Sequence, residues 1–172
     1  MSLVEKSMTI QIRAVVITAS DACSTGERVD ESGAALVELL TSIGAQIIAK
    51  EILNDDLDPL AAQLREYADR DGVNLIVTTG GTGFGPRDNT PEATLRVIER
   101  EAPGLTEAMR FETLKNTPMA MISRGVCGIR SGTLIVNLPG SPKAVRESFA
   151  VIQPVLPHAI GLLEGKSHAE AK

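Results

Sequence analysis

Apolar and polar positions alternate in blocks that divide the chain into strands and helices. Residues 13–18 (RAVVIT) form a short apolar run rich in β-branched side chains, the pattern of a buried strand. The polar stretch over 19–33 is expected to be a loop. Leu36, Leu39, Leu40 and Ile43 then recur at helical spacing, and Gly44 closes that helix. AQIIAKEIL (45–53) predicts a second strand. Leu57, Leu60, Ala61, Leu64 and Ala68 mark an amphipathic helix with Asp56 in place to cap it. LIVTT (75–79) predicts the third strand. Thr90-Pro91-Glu92 offers a capping hydroxyl, a proline at the first helical position and an acid in the first turn. That helix is expected to run through Leu95 and Ile98, and another to cover 105–115.

The texture then changes to short apolar runs punctuated by glycine. These predict a strand at 119–123, a hairpin at 125–132 and a strand at 133–137. Ser141-Pro142 opens a helix through Val145, Phe149 and Ile152, and a last helix is expected over 155–164. Strand and helix alternate from 10 to 80, which predicts an α/β fold: helix layers on a mostly parallel, mixed sheet with one antiparallel strand. A single domain over 10–165 is expected, with a leader over 1–9 and a polar tail over 166–172.

Composition narrows the functional classes. With one Tyr, three Phe and no Trp, the core rests on aliphatic residues, and stacking platforms for single-stranded nucleic acid are scarce. A net charge of −5 argues against a nucleic-acid or anionic-membrane surface, but not against a local anion pocket built from backbone amides. Cys23 and Cys127 form no C-x-x-C pair, and His158 and His168 are isolated, so no zinc or redox motif is indicated. The N-terminus has no long apolar core of a secretory signal, and no apolar run spans a bilayer, so the expected location is cytoplasmic.

The chemistry concentrates in GGTGFGPRD (80–88). Gly80, Gly81, Gly83 and Gly85 follow directly on the third strand, where open α/β sheets bind ligands. Missing side chains let the backbone approach a bulky anion. The pattern is not a Walker A loop, since no Lys-Ser/Thr follows its last glycine, and Pro86 stands where a Rossmann fingerprint needs glycine. A second strand–glycine–helix turn occurs at Gly140-Ser141-Pro142. Asp88, Asp55, Asp56 and Asp21 all follow strand ends. Taken singly each reads as a cap or a solvated charge; together they suit Mg²⁺ held by carboxylates and substrate phosphates. Arg87, Arg124 and Lys143 are candidate phosphate partners or surface charges.

TTGGTGFGPRDNTPEAT (78–94), with SRGVCGIRSGTLIVNLPGSPKAV (123–145) and ITASDACSTGERVDESG (17–33), resembles the Mog/MoaB family of molybdopterin adenylyltransferase-type proteins. The resemblance covers about residues 10–165. It implies a three-layer α/β/α molybdopterin-binding fold, a homotrimer, and transfer of AMP from Mg-ATP to molybdopterin with release of pyrophosphate. It also implies a downstream molybdate-insertion partner. Two family aspartates match Asp88 and Asp55, the latter with Asp56 as its neighbour in doubt, in catalytic and Mg²⁺-binding roles. Ser20, Asp21, Thr79, Gly80, Gly81, Thr82, Gly83, Gly140 and Ser141 are carried over to the nucleotide and substrate pocket. The rival reading is a non-catalytic member that binds molybdopterin as a scaffold.

Overall fold

A computed structural model describes residues 10–166. The leader expected over 1–9 and all of the expected tail except Lys166, including His168, lie outside the described residues.

The elements run β1 (Arg13–Ala19), α1 (Asp21–Ser24), α2 (Glu31–Ser42), β2 (Gln46–Leu53), α3 (Leu57–Ala68), β3 (Leu75–Thr79) and α4 (Thr90–Leu95). They continue with β4 (Arg100–Glu101), α5 (Pro103–Leu114), a 3-10 turn at Pro118–Ile122, β5 (Cys127–Arg130), β6 (Thr133–Leu138), α6 (Pro142–Ile152) and α7 (Leu156–Leu163). The six-stranded sheet has the order β2-β1-β3-β6-β5-β4. β2, β1, β3 and β6 are parallel, while β5 pairs antiparallel with both β6 and β4. One strand therefore runs against the rest, as the sequence pattern predicts.

The period-two alternation of the strands sends side chains to two cores. Ala14, Val16, Leu75, Val77, Leu134 and Val136 meet Leu36 and Leu40 of α2, Met109 of α5 and Phe149 of α6. Val15, Ile17, Ile76 and Ile135 meet Leu60, Leu64 and Tyr67 of α3, and Ala93 of α4. The chain leaves β1 toward α2 on one face and β3 toward α4 on the other. That divergence between neighbouring strands opens a crevice beyond their carboxyl ends.

Several local expectations are corrected. The 119–123 stretch is a 3-10 turn, not a strand: Pro118 starts it, Thr117 accepts from the Met119 N–H, and Met119, Met121 and Ile122 remain exposed. The hairpin is β5–β6 itself, turning at Ser131 and Gly132, both with positive φ, as a two-residue connection requires. The polar stretch 19–33 contains α1 and the first turn of α2, whose cap is Asp30 accepting from the Gly33 N–H at 2.9 Å. The helix at Thr90 ends at Leu95, because Glu99 N–H bonds Ile129 C=O and draws the chain into the sheet as β4. Asn89 occupies the cap position there, while the Thr90 hydroxyl donates to Gly80 C=O at 2.9 Å. Asp56 stands at the cap position of α3 without making a side-chain cap bond. Both cysteines are free and buried. No described helix is long and apolar enough to cross a membrane.

Candidate active site

The ends of β1, β3 and β6 are drawn together by their backbones. Gly80 N–H donates to Leu138 C=O at 3.2 Å. A Cβ at Gly80 would stand 2.3 Å from Ala19 O, and one at Gly140 would stand 3.1 Å from the Gly80 Cα. Gly80 and Gly81 have φ of 92° and 65°, a region that side chains rarely adopt. A Cβ at Gly81 would also meet Thr90 Oγ1 at 2.4 Å and Asp55 Oδ1 at 3.1 Å. These glycines let strand ends and a carboxylate pack where no side chain fits.

Gly83 and Gly85 serve a different purpose. A Cβ on either would lie 2.9 Å from Asp88 Oδ2. Asp88 folds its carboxylate back over the loop, accepting from Gly85 N–H at 2.8 Å while its own N–H donates to Gly85 C=O at 3.0 Å. Half of the glycine run therefore makes room for the chain's own acid.

Asp55 is fixed from the β2 side. Its Oδ2 accepts from Asp21 N–H at 2.9 Å, and Asp55 N–H donates to Asp21 Oδ1 at 3.0 Å. Asn89 binds its carbonyl at 2.8 Å. The other carboxylate oxygen, Oδ1, is buried without a hydrogen-bond partner among the described residues. Burial first, then the charges of Asp21 and Asp88, raise the Asp55 pKa above the usual carboxylate range. Asp21 is opposite in character: hydrogen bonds from Arg87 lower its pKa to about 2.

A polar cavity of about 170 Å³ is lined by Thr18, Ser20, Arg28, Asp55, Gly80 and Asp88, among others. An adjoining cavity of about 400 Å³ has a largely apolar wall that includes Met109, Met119, Ile122, Pro139 and Ala144. Gly81, Asp88 and Gly140 line both. The expected site residues are distributed accordingly. Ser20, Asp55 and Gly80 face the smaller cavity, and Thr82, Gly83 and Ser141 the larger. Thr79 is not in either wall; it is buried, with its hydroxyl donating to Pro139 C=O at 2.7 Å. Asp21 and Asp56 are outside both walls and share Arg87, which reaches them at 2.7 and 2.8 Å. Arg87 is therefore occupied by carboxylates, and Lys143 is exposed beside Glu147.

Sequence reasoning missed Arg28, Arg110 and Asn137. Arg28 is the cation in the smaller wall and Arg110 the cation in the larger. Thr106, Arg110, Thr113 and Thr117 recur at helical spacing along the larger cavity, a polar stripe legible in the sequence. Asn137 bonds Thr78, Thr94 and Val126 N–H from within β6, and no sequence signal distinguishes it.

Residues 15–158 match the family model described as a probable molybdopterin binding domain. The chain is 45% identical over 165 residues to the Drosophila melanogaster molybdenum cofactor synthesis protein cinnamon, covering 91% of this chain but 27% of that protein. It is 41% identical over 152 residues to the Helicobacter pylori molybdopterin adenylyltransferase, covering 87% of this chain and 86% of that protein. The crystal structure of the molybdopterin biosynthesis enzyme MoaB from Thermus thermophilus is similar with a TM-score of 0.85 at 49% identity, covering 91% of this chain and 98% of that one.

Proposed function

We propose that this chain, which belongs to the molybdopterin binding domain family, acts in molybdenum cofactor biosynthesis by transferring AMP from ATP to the terminal phosphate of molybdopterin. A phosphate oxygen of molybdopterin attacks the α-phosphorus of ATP, the bond to the β-phosphate oxygen breaks, and pyrophosphate leaves. No covalent intermediate on the protein is needed, so the work is positioning and charge neutralisation.

The observation that carries this reading is the Asp55 carboxylate oxygen, buried and unpartnered in a cavity that Asp88 also lines. A buried ionised oxygen with no donor calls for a cation. Among the described residues no group of three or more acids, histidines or cysteines could hold a metal alone. A pair of carboxylates completed by substrate phosphates is the set that suits Mg²⁺. Asp55 and Asp88 would hold that ion, which neutralises phosphate charge when bound. The backbone of Gly80 and Gly81 gives the phosphates close approach, Ser20 and Arg28 supply donors in the smaller cavity, and Thr82, Gly83, Gly140 and Ser141 border the larger. The apolar wall of the larger cavity keeps water from competing at the α-phosphorus. A cytoplasmic homotrimer that passes adenylylated molybdopterin to a molybdate-insertion partner completes the proposal.

The test is pyrophosphate release from Mg-ATP on addition of molybdopterin, with Asp88→Asn alongside. Release that requires molybdopterin and disappears in the variant supports the reading. Molybdopterin binding without release would overturn it in favour of a non-catalytic binding protein.

A further inference from the structure

Asp88 sits on a loop, and among the described residues its only side-chain bond is to Gly85 of that same loop. The carboxylate is thus fixed relative to the loop, and whatever holds the loop aims the carboxylate. The segment 84–87 is exposed. Arg87 ties it outward to Asp21 and Asp56 through a side chain that is 55% exposed.

The inner tie is Arg124, which follows the 3-10 turn and precedes β5. Its N–H donates to Thr82 C=O at 2.8 Å. Its guanidinium donates from Nε to Gly83 C=O at 2.7 Å and from Nη2 to Asp88 C=O at 2.8 Å. Nη1 pairs with Glu92 Oε1, in the first turn of α4. One planar side chain therefore spans the loop at Gly83, where it departs, at Asp88, where it returns, and at the helix that follows. Only a fixed fork of donors can hold these acceptors at once. Arg124 lines neither cavity that Asp88 faces; it borders a third pocket of about 270 Å³, which shares Thr106, Arg110, Ser123 and Gly125 with the larger cavity. It reaches the site through the loop backbone, not through a wall of either cavity.

We propose that Arg124 is a positioning residue for AMP transfer: by bridging the Gly83 and Asp88 carbonyls and Glu92 it sets where the Asp88 carboxylate meets the divalent cation and the phosphates. This rests on the adenylyl-transfer reading. A lysine keeps the charge and reaches one carbonyl at a time; a methionine keeps the stem and removes every side-chain donor.

The experiment compares wild type, Arg124→Lys and Arg124→Met in three measurements: thermal unfolding, binding of Mn²⁺ in the presence of ATP by electron paramagnetic resonance, and steady-state pyrophosphate release. Supports to a metal site are worth about 10–100-fold in affinity or activity. Arg124→Met is expected to weaken Mn²⁺ and lower kcat by about that range, with a smaller change in KM for molybdopterin. Arg124→Lys, which retains the pairing charge for Glu92, is expected to stay folded and to recover stability more than kcat. A merely structural arginine would change the unfolding temperature while each folded molecule kept wild-type Mn²⁺ affinity and kcat, and that result overturns the inference. If Arg124→Met fails to fold, Arg124→Lys decides by the same criterion. Wild type that neither binds Mn²⁺ with ATP nor releases pyrophosphate overturns the adenylyl-transfer reading and this inference with it. Active wild type with unaltered variants overturns the inference alone.

Discussion

Asp55 stands at the end of β2 and Asp88 on an exposed loop, yet both carboxylates reach the smaller cavity. Asp55 is locked by the Asp21 N–H on one carboxylate oxygen and by the Asn89 side-chain amide on its carbonyl, and among the described residues nothing bonds the other oxygen. Asp88 is locked by a turn that folds onto itself, and the turn by an arginine. The first arrangement leaves one buried oxygen without a donor; the second turns the carboxylate onto its own loop and so controls its direction. The difference teaches that one site can draw ionised groups from a rigid strand end and from a loop, provided that each is oriented by other means.

The comparison can be broken first at the acids themselves. Asp55→Asn and Asp88→Asn are each expected to lower AMP transfer at least about a hundredfold, the scale for losing one charge-stabilising group. Their stabilities should diverge. Asp55→Asn removes a carboxylate charge with one buried, unpartnered oxygen and is expected to match or exceed wild type by about 0.5–2 kcal/mol, the scale of a single stabilising substitution. Asp88→Asn should be near neutral. Chemical denaturation of both reads this, and an Asp55→Asn protein less stable than Asp88→Asn would remove the contrast.

Gly81 tests the packing between the two sides. Alanine there must adopt φ of 65° and meet Thr90 Oγ1 and Asp55 Oδ1. It is expected to cost about 1–3 kcal/mol in stability, together with activity. Gly104, where a Cβ meets none of the described residues within 4 Å, is the control for an alanine substitution without that crowding.

A third acid sharpens the contrast through pH. Asp30 is more deeply buried than Asp55 and, besides a backbone donor (the Gly33 N–H), has the side-chain donors that Asp55 lacks: Thr18 Oγ1 at 2.8 Å and Lys50 at 3.1 Å. Burial would raise its pKa, but those partners outweigh burial and hold it below the usual carboxylate range. With the folded pKa depressed, its contribution is complete above the ordinary carboxylate pKa and is lost as pH falls through the depressed value. Asp30→Asn is expected to cost about 1–2 kcal/mol at neutral pH and to flatten the acid limb of the stability–pH profile. The smallest effect belongs to Arg87→Ala. Its ion pairs are exposed and screened, so the unfolding midpoint should barely move, and even that change should fade in 1 M salt.

The sequence made the frame legible wherever burial left a period. β1, β3 and β6 are apolar on consecutive positions because both faces are covered, and the predicted strands at 13–18, 75–79 and 133–137 fall on them. The apolar letters at 119–123 misled because Met119, Met121 and Ile122 stay exposed, with Met119 and Ile122 in a cavity wall, and Pro118 had already set the turn. The glycine loop and Asp88 were visible from their place after a strand. The choice between Asp55 and Asp56 was not: adjacent acids differ only in which way the backbone turns them, and the structure sends Asp55 to the cavity and Asp56 to Arg87. Arginines were the least legible. Arg87, Arg110 and Arg124 are identical in sequence terms, yet they meet carboxylates, a cavity wall and loop carbonyls respectively.

The boundary shared by the cavities consists of Gly81, Gly140 and one acid, so it has almost no side-chain thickness. Groups seated on its two sides are close enough to be joined by a linker of very few atoms. A single molecule carrying an anionic head for the smaller compartment and an apolar body for the larger would bind its second half at high effective concentration, adding affinity without any new contact. The thin septum thus makes the crevice a natural target for bisubstrate ligands.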